Sequence, residues 1–189
     1  MIDRQAALEK MKAWGLVFES LPPSTPFRFR EVPHLPEVQD WFEFYTPPWK
    51  VPEDSLIVDV GARTGDSAAF FLALGYTNLR LVEPRLDLYQ TDLEHNVEVL
   101  RSMGCKIDLH LHPFKSDCCL NGAAFAKFDC EGCETEVDFS HMTIPWSAEI
   151  HFPLKKLEHG IFEYMPCIGY HRWTPWVEPS PEDLIRSQR

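Results

Sequence analysis

"LIVDVGARTGDSAAFFLALG", residues 56–75, passes from one hydrophobic periodicity to another across a single tight turn. Residues 56–60, "LIVDV", are apolar on both faces apart from Asp59, the pattern of a strand buried in the middle of a parallel sheet. Residues 66–75, "DSAAFFLALG", read as a helix with an acidic first turn and Gly75 as its stop. Gly61 and Gly65 make the corner between them, and Arg63 stands where a tight cofactor turn often has a small residue.

The same alternation continues downstream. "NLRLVE" (78–83) predicts a second strand, and residues 85–104 place Leu86, Tyr89, Leu93, Val97 and Leu100 on one helical face closed by Gly104. "KIDLHLHPF" (106–114) alternates strictly, with Asp108, His110 and His112 on a wet face, which suits a strand near the sheet edge. Strands are expected at 124–129 and 147–152, a helix at 154–165, and a sixth strand at 167–173. Strands alternating with helices predict an α/β protein with a doubly wound, mostly parallel sheet.

A chain of 189 residues, 44% apolar and 25% charged, fits one ordinary domain. The start, "MIDRQAALEKMKAW", reads as an amphipathic helix, with Asp3 and Glu9 where a cleavable leader would be apolar. No apolar run approaches the roughly 18 to 20 residues of a membrane span, so a soluble, cytoplasmic protein is expected. The net charge of -11 repels a phosphate backbone and argues against nucleic acid as a partner. Eight of the sixteen prolines fall between residues 22 and 52, which predicts an extended, proline-pinned wrap after the first helix. The expected division is an N-terminal helix and wrap or lid at 1–52, a catalytic domain at 53–175 and a tail at 176–189. Oligomeric state is not encoded in any of these features.

In a doubly wound sheet, ligands bind at the carboxyl ends of the strands beside the first one. The Gly61–Gly65 turn leads into a helix N-terminus, and Glu83 ends the second strand where a carboxylate can accept hydrogen bonds from both ribose hydroxyls of an adenosine ligand. A dinucleotide needs G-x-G-x-x-G so that bare backbone can approach the pyrophosphate. The spacing here is G-x-x-x-G, with Arg63 in the way. S-adenosylmethionine has no pyrophosphate; its ammonium can meet Asp59, directly or through water, and its carboxylate the helix N-terminus. The turn suits S-adenosylmethionine better than a nicotinamide cofactor.

"VPEDSLIVDVGARTGDSAAFFLALGYTNLRLVEP" resembles the opening of the FkbM family of S-adenosylmethionine-dependent methyltransferases, whose usual form is a VDVGANxGD-type turn followed by a strand ending in EP. "AKFDCEGCETEV" resembles that family's K-x-D-x-E-G-x-E segment, and "AEIHF" its later E-x-H strand. The resemblance covers about residues 52 to 173. It implies a Rossmann-like class I methyltransferase fold, with Asp59, Gly61, Ala62, Arg63, Gly65, Asp66, Glu83, Pro84 and Asp129 at the cofactor. It also implies O-methylation, with a small molecule or saccharide as acceptor. Two departures stand out: Arg63 replaces the family's asparagine, and "KSDCCLNGA" is too short for the helix commonly found between the third and fourth strands.

Methyl transfer to a hydroxyl gains from a base. His151 is the candidate base, since the imidazole is the side chain best suited to that role at neutral pH, with Glu131 orienting substrate or cofactor and Asp129 beside it. Glu134 reads as a solvent-facing or capping residue, and Lys127 as a partner for an acid or a snorkelling side chain. Asp129, Glu131 and Glu134 fall short of the about six oxygen positions of a divalent-cation site, so no metal is expected. Cys130-x-x-Cys133 is half a zinc site by spacing, with Cys118, Cys119, His110 and His112 as its conceivable other half. The resemblance implies a sheet order with the second and first strands between the third and the fourth; three strand spacings, about 14 Å, are too far for the third strand's histidines to share a metal with Cys130, although the Cys118–Cys119 loop could reach. All six cysteines are therefore read as free thiols. "WFEFYTPPW" (41–49) reads as core packed over the sheet, or as a substrate lid, and "PFRFRE" (26–31) as an extended segment with Phe27 and Phe29 inward. Other readings are the same fold acting on RNA or protein, a cofactor-binding module without catalysis, and a nicotinamide-dependent oxidoreductase.

Overall fold

The buried run becomes β1 (Leu56–Val60), the helix after the turn α3 (Asp66–Ala73), and the next strand β2 (Asn78–Val82). The long amphipathic stretch forms α4 (Leu86–Ser102) and leads into β3 (Lys106–His110). A single turn, α5 (Ser116–Cys119), connects to β4 (Ala123–Phe128), followed by β5 (Trp146–Ile150) and β6 (Ile168–Arg172). The computed structural model describes residues 3–47, 51–130, 133, 137–139, 142–150 and 168–172. The expected helix at 154–165 and the tail at 176–189 lie outside them.

The sheet runs β3-β2-β1-β4-β5-β6. Every neighbouring pair is parallel except the last, where β6 is antiparallel to β5. This is the doubly wound, mostly parallel, Rossmann-like α/β sheet expected, with β1 central and β3 at an edge. Ile57, Leu79, Leu81 and Phe125 face one side and pack on α3 and α4 through Phe70, Phe71, Leu93, Val97 and Leu100. Val58, Val60, Val82, Ala126 and Phe128 face the other, where Cys119, Val137, Phe139 and Trp146 cover them. No helix among the described residues is long and apolar enough to cross a membrane.

The N-terminal part departs from expectation. After α1 (Arg4–Ala13) and a short 3-10 turn at Phe18–Ser20, residues 35–44 form a second helix, α2 (Leu35–Phe44), inside the stretch expected to be extended. Pro36 sits in its first turn, where a missing N–H costs nothing. Glu37 reaches back to accept the His34 N–H at 2.6 Å. Val38, Trp41, Phe42 and Tyr45 then share one face, and Trp41 and Phe42 meet Phe70 of α3 at ring distances of 5.8 and 5.3 Å. Trp41 and Tyr45 thus belong to the core; Trp49 lies outside the described residues. Residues 26–31 form neither helix nor strand, and Phe27 turns inward, buried and stacked on Phe29 at 5.0 Å.

Candidate functional site

Four of the five amides in the turn after β1, those of Gly61, Ala62, Arg63 and Gly65, are bonded within the fold. The Gly61 and Ala62 amides donate to Val82 O at 2.9 and 3.3 Å, and the Gly65 amide to Ala62 O at 2.6 Å. The Arg63 amide donates to Glu83 Oε2 at 2.8 Å, and the Arg85 amide to Glu83 Oε1 at 2.6 Å. Glu83 is only 2% exposed, so two main-chain donors hold its carboxylate in place while each oxygen keeps a further lone pair. Pro84, half-buried, follows it and cannot extend the ladder. Gly61 has φ +82° and passes so close to Asp129 that a Cβ would lie 1.9 Å from the Asp129 carbonyl oxygen. Arg63 itself adopts φ +47°. Its guanidinium pairs with Glu31 and lies 5.7 Å from the centre of the Tyr89 ring.

Behind the turn is a buried charge network. Asp59 and Lys127 are register partners on β1 and β4, 0% and 1% exposed. Lys127 Nζ lies 3.0 Å from Asp59 Oδ1 and 3.7 Å from Asp129 Oδ2, and donates to Gly61 O at 3.3 Å. Burial alone would push this ammonium down; Asp59 and Asp129 outweigh it and hold it above the usual lysine range. Asp59 Oδ2 accepts from Ser67 Oγ at 2.6 Å, while Oδ1 faces the Lys127 ammonium. The Tyr45 hydroxyl, buried at the end of α2, reaches Glu149 at 2.6 Å and Asp129 at 3.0 Å. Burial and those two carboxylates push its phenol well above the ordinary value.

Asp66 opens α3 with a buried carboxyl that burial pushes up to about 6, against the opposing pull of Arg63 and Lys127. An acid whose folded pKa is raised contributes stability below its unfolded pKa and loses it as pH rises through the folded one. Raising pH from about 4 to about 6 should therefore destabilise the wild type relative to Asp66→Asn, by on the order of 2 kcal/mol. Urea unfolding of both proteins across that range measures it; a stability difference independent of pH would refute the assignment.

Asp66 also lines a cleft of about 170 Å3 with Arg30, Glu31, Arg63, Thr64 and Tyr89. The strap that walls it is tied down by Asn96 of α4, which accepts from the Arg28 amide at 2.7 Å and donates to Arg28 O at 3.0 Å and Thr64 O at 2.6 Å.

Of the expected site residues, Asp59, Gly61, Ala62, Arg63, Gly65, Asp66, Glu83, Pro84 and Asp129 gather around this turn and the ends of β1, β2 and β4. Glu131, Glu134 and His151 lie outside the described residues. Sequence reading left Lys127 unassigned, although a lysine between Ala126 and Phe128 on a central strand has to find an acid. Tyr45 stood in the aromatic segment 41–49 and Glu149 in the E-x-H strand, but neither was assigned to the site. Cys130 and Cys133, expected as free thiols, are joined in a disulfide with Cα atoms 5.5 Å apart, a separation that the two-residue spacer provides. Cys105, Cys118 and Cys119 are free.

No protein-family model and no curated protein matches the sequence. Among solved structures, the chain is similar to a precorrin-6y C5,15-methyltransferase from Geobacter metallireducens, with a TM-score of 0.47 and 9% identity, over 66% of this chain and 67% of that one.

Proposed function

We propose that the chain binds S-adenosylmethionine and is a methyltransferase resembling the FkbM family, acting on a hydroxyl of a small molecule or saccharide. The observation that carries this reading is the turn. A pyrophosphate cradle needs several unspent N–H groups, and here the amides of Gly61, Ala62, Arg63 and Gly65 are all used within the fold. Glu83 retains lone pairs for two ribose hydroxyls and is pre-oriented by the Arg63 and Arg85 amides. Around the turn stand Asp59, Asp66, Glu83, Asp129 and Glu149 against Lys127 and Arg63, a surplus of negative charge that favours a cationic ligand.

When bound, S-adenosylmethionine supplies an electrophilic methyl whose departure leaves a neutral thioether. The chain's own part is to align acceptor and methyl, exclude water and take the hydroxyl proton. Lys127 holds Gly61 O and Asp129 in fixed relation, and Tyr45 holds Asp129 against Glu149. His151 is the base in this reading and Glu131 the orienting acid. The 170 Å3 cleft is below the about 300 Å3 of a small-molecule pocket, so entry of the cofactor displaces the Arg63–Glu31 pair on its outer wall. The net charge favours a small acceptor over nucleic acid, and no membrane partner is invoked.

Calorimetric titration with S-adenosylhomocysteine, beside NAD as control, tests the reading. Micromolar binding is expected, weakened about 100-fold or more in Glu83→Ala and less in Glu83→Gln, which keeps one acceptor. Binding of NAD instead, or unchanged affinity in Glu83→Ala, would overturn it.

A further inference from the structure

The wet face of β3 carries a cluster of metal-ligating side chains, at the sheet edge. Asp108, His110 and His112 follow one another at two-residue spacing, and α5 lies across from them with Cys118 and Cys119. One ligand atom from each of His110, His112, Cys118 and Cys119 falls within 4.8 Å of all the others. Cys118 Sγ and Cys119 Sγ are 3.7 Å apart, and Cys119 Sγ is 4.0 Å from His110 Nδ1. Tetrahedral zinc, with Zn–S near 2.3 Å and Zn–N near 2.0–2.1 Å, needs its ligand atoms about 3.3–3.8 Å apart. The sulfur pair already has that spacing, and the rest require shifts of about 1 Å.

The surrounding groups prepare the same four residues. His110 Nε2 lies 3.1 Å from Asp108 Oδ1, which commits that nitrogen as a donor and leaves Nδ1 as the lone pair beside Cys119. His112 Nδ1 donates to Pro113 O at 2.7 Å, leaving Nε2 as a lone pair. Arg80, on β2, pairs with Asp108 at 2.7 Å and donates to the carbonyls of Cys118 at 3.2 Å, Cys119 at 2.9 Å and Asn121 at 3.0 Å. One side chain thus fixes both the acid behind the histidine and the backbone that carries the cysteines.

We propose that His110, His112, Cys118 and Cys119 form a structural zinc site that staples the short β3–β4 connection to the sheet edge. Two thiolates and two imidazoles in a tetrahedral array select zinc over oxygen-seeking cations. Four protein ligands close the site, which makes it structural rather than catalytic. Each thiol gives its proton to solvent as its S–Zn bond forms, so two thiolates and two neutral imidazoles balance the ion's charge. The site does the work of the missing crossover helix, holding residues 111–122 over the second face of the sheet. It shares no ligand residue with the cofactor reading, although the Glu83 amide donates to His110 O at 3.0 Å, so the two sites touch through the main chain.

The test is metal titration of the full, chelator-stripped chain, with zinc in competition against a chromophoric chelator and with cobalt(II) as spectroscopic probe. One equivalent is expected, with the intense visible bands and sulfur-to-metal charge transfer of tetrahedral cobalt thiolate. Cys118→Ser, at an exposed position, and His112→Gln should each weaken binding about 100-fold, and Asp108→Asn about 10- to 100-fold as a positioning residue. Circular dichroism of the metal-free variants establishes that they fold. The double variant Cys130→Ser/Cys133→Ser should bind as the wild type does. Zinc should also slow alkylation of Cys118 and Cys119, read by peptide mass. Absence of stoichiometric binding, an octahedral cobalt spectrum, or loss of binding only on removing Cys130 and Cys133 would each overturn the proposal.

Discussion

Gly61→Ala is expected to abolish soluble, folded protein, whereas Gly65→Ala should leave it folded with a loss of about 1–2 kcal/mol. Both glycines have left-handed φ, +82° and +85°, and pay the same conformational penalty for a Cβ. They differ in what that Cβ meets. At Gly65 the nearest atom is Leu93 Cδ1 at 3.5 Å, an ordinary contact. At Gly61 it is the Asp129 carbonyl oxygen at 1.9 Å, with the Asp129 carbon at 2.6 Å and Cys130 Cα at 2.7 Å. All three are backbone, and Asp129 is fixed by its own N–H bond to Val60 O at 3.0 Å, so relief means prising β4 from β1. The loss should exceed about 4 kcal/mol, a large share of a domain's stability. Expression and thermal unfolding of the two variants side by side decide the matter, and equal losses would show that φ alone governs the turn.

Lys127→Met should cost about 3–5 kcal/mol, because it strands the Asp59 carboxylate in the centre of the sheet with only Ser67 to serve it. The methionine fills nearly the same volume, so packing loss contributes little. The distinguishing measurement is a double-mutant cycle by urea unfolding. In an Asp59→Asn background the same substitution should cost at least about 1 kcal/mol less, since the stranded charge is gone. Additive losses would mean that Lys127 acts through Asp129, its bond to Gly61 O or its approach to Tyr45, rather than through the charge of Asp59.

The elements of the sheet were legible because their signals are local. Alternation marked β3, unbroken apolar character marked β1, and a 3.6-residue stripe stopped by glycine marked α4. Among the described residues, the single turn α5 was not anticipated in so short a connection, and α2 was masked by its prolines: Pro36 sits in a helical first turn, where proline is harmless, and the Val38–Trp41–Phe42–Tyr45 stripe was the better signal. The turn residues Asp59, Gly61, Gly65 and Glu83 were legible too, since a strand–turn–helix corner and the end of the next strand must lie together in a parallel sheet.

What the sequence by itself determined is therefore the order and type of the central strands and helices, and the place of the turn among them. Tertiary structure alone decided which distant side chains complete each site. Tyr45 meets Asp129 across 84 residues only because α2 packs on Phe70. His110 and His112 meet Cys118 and Cys119, and not Cys130 and Cys133, because β2 and β1 lie between β3 and β4 and the chain folds back over its own strand before crossing. The physical reason is one of range. Periodicity reports how a segment faces the core, a property of adjacent residues, whereas a meeting of side chains depends on strand order and loop path, which are settled by burial of the whole chain.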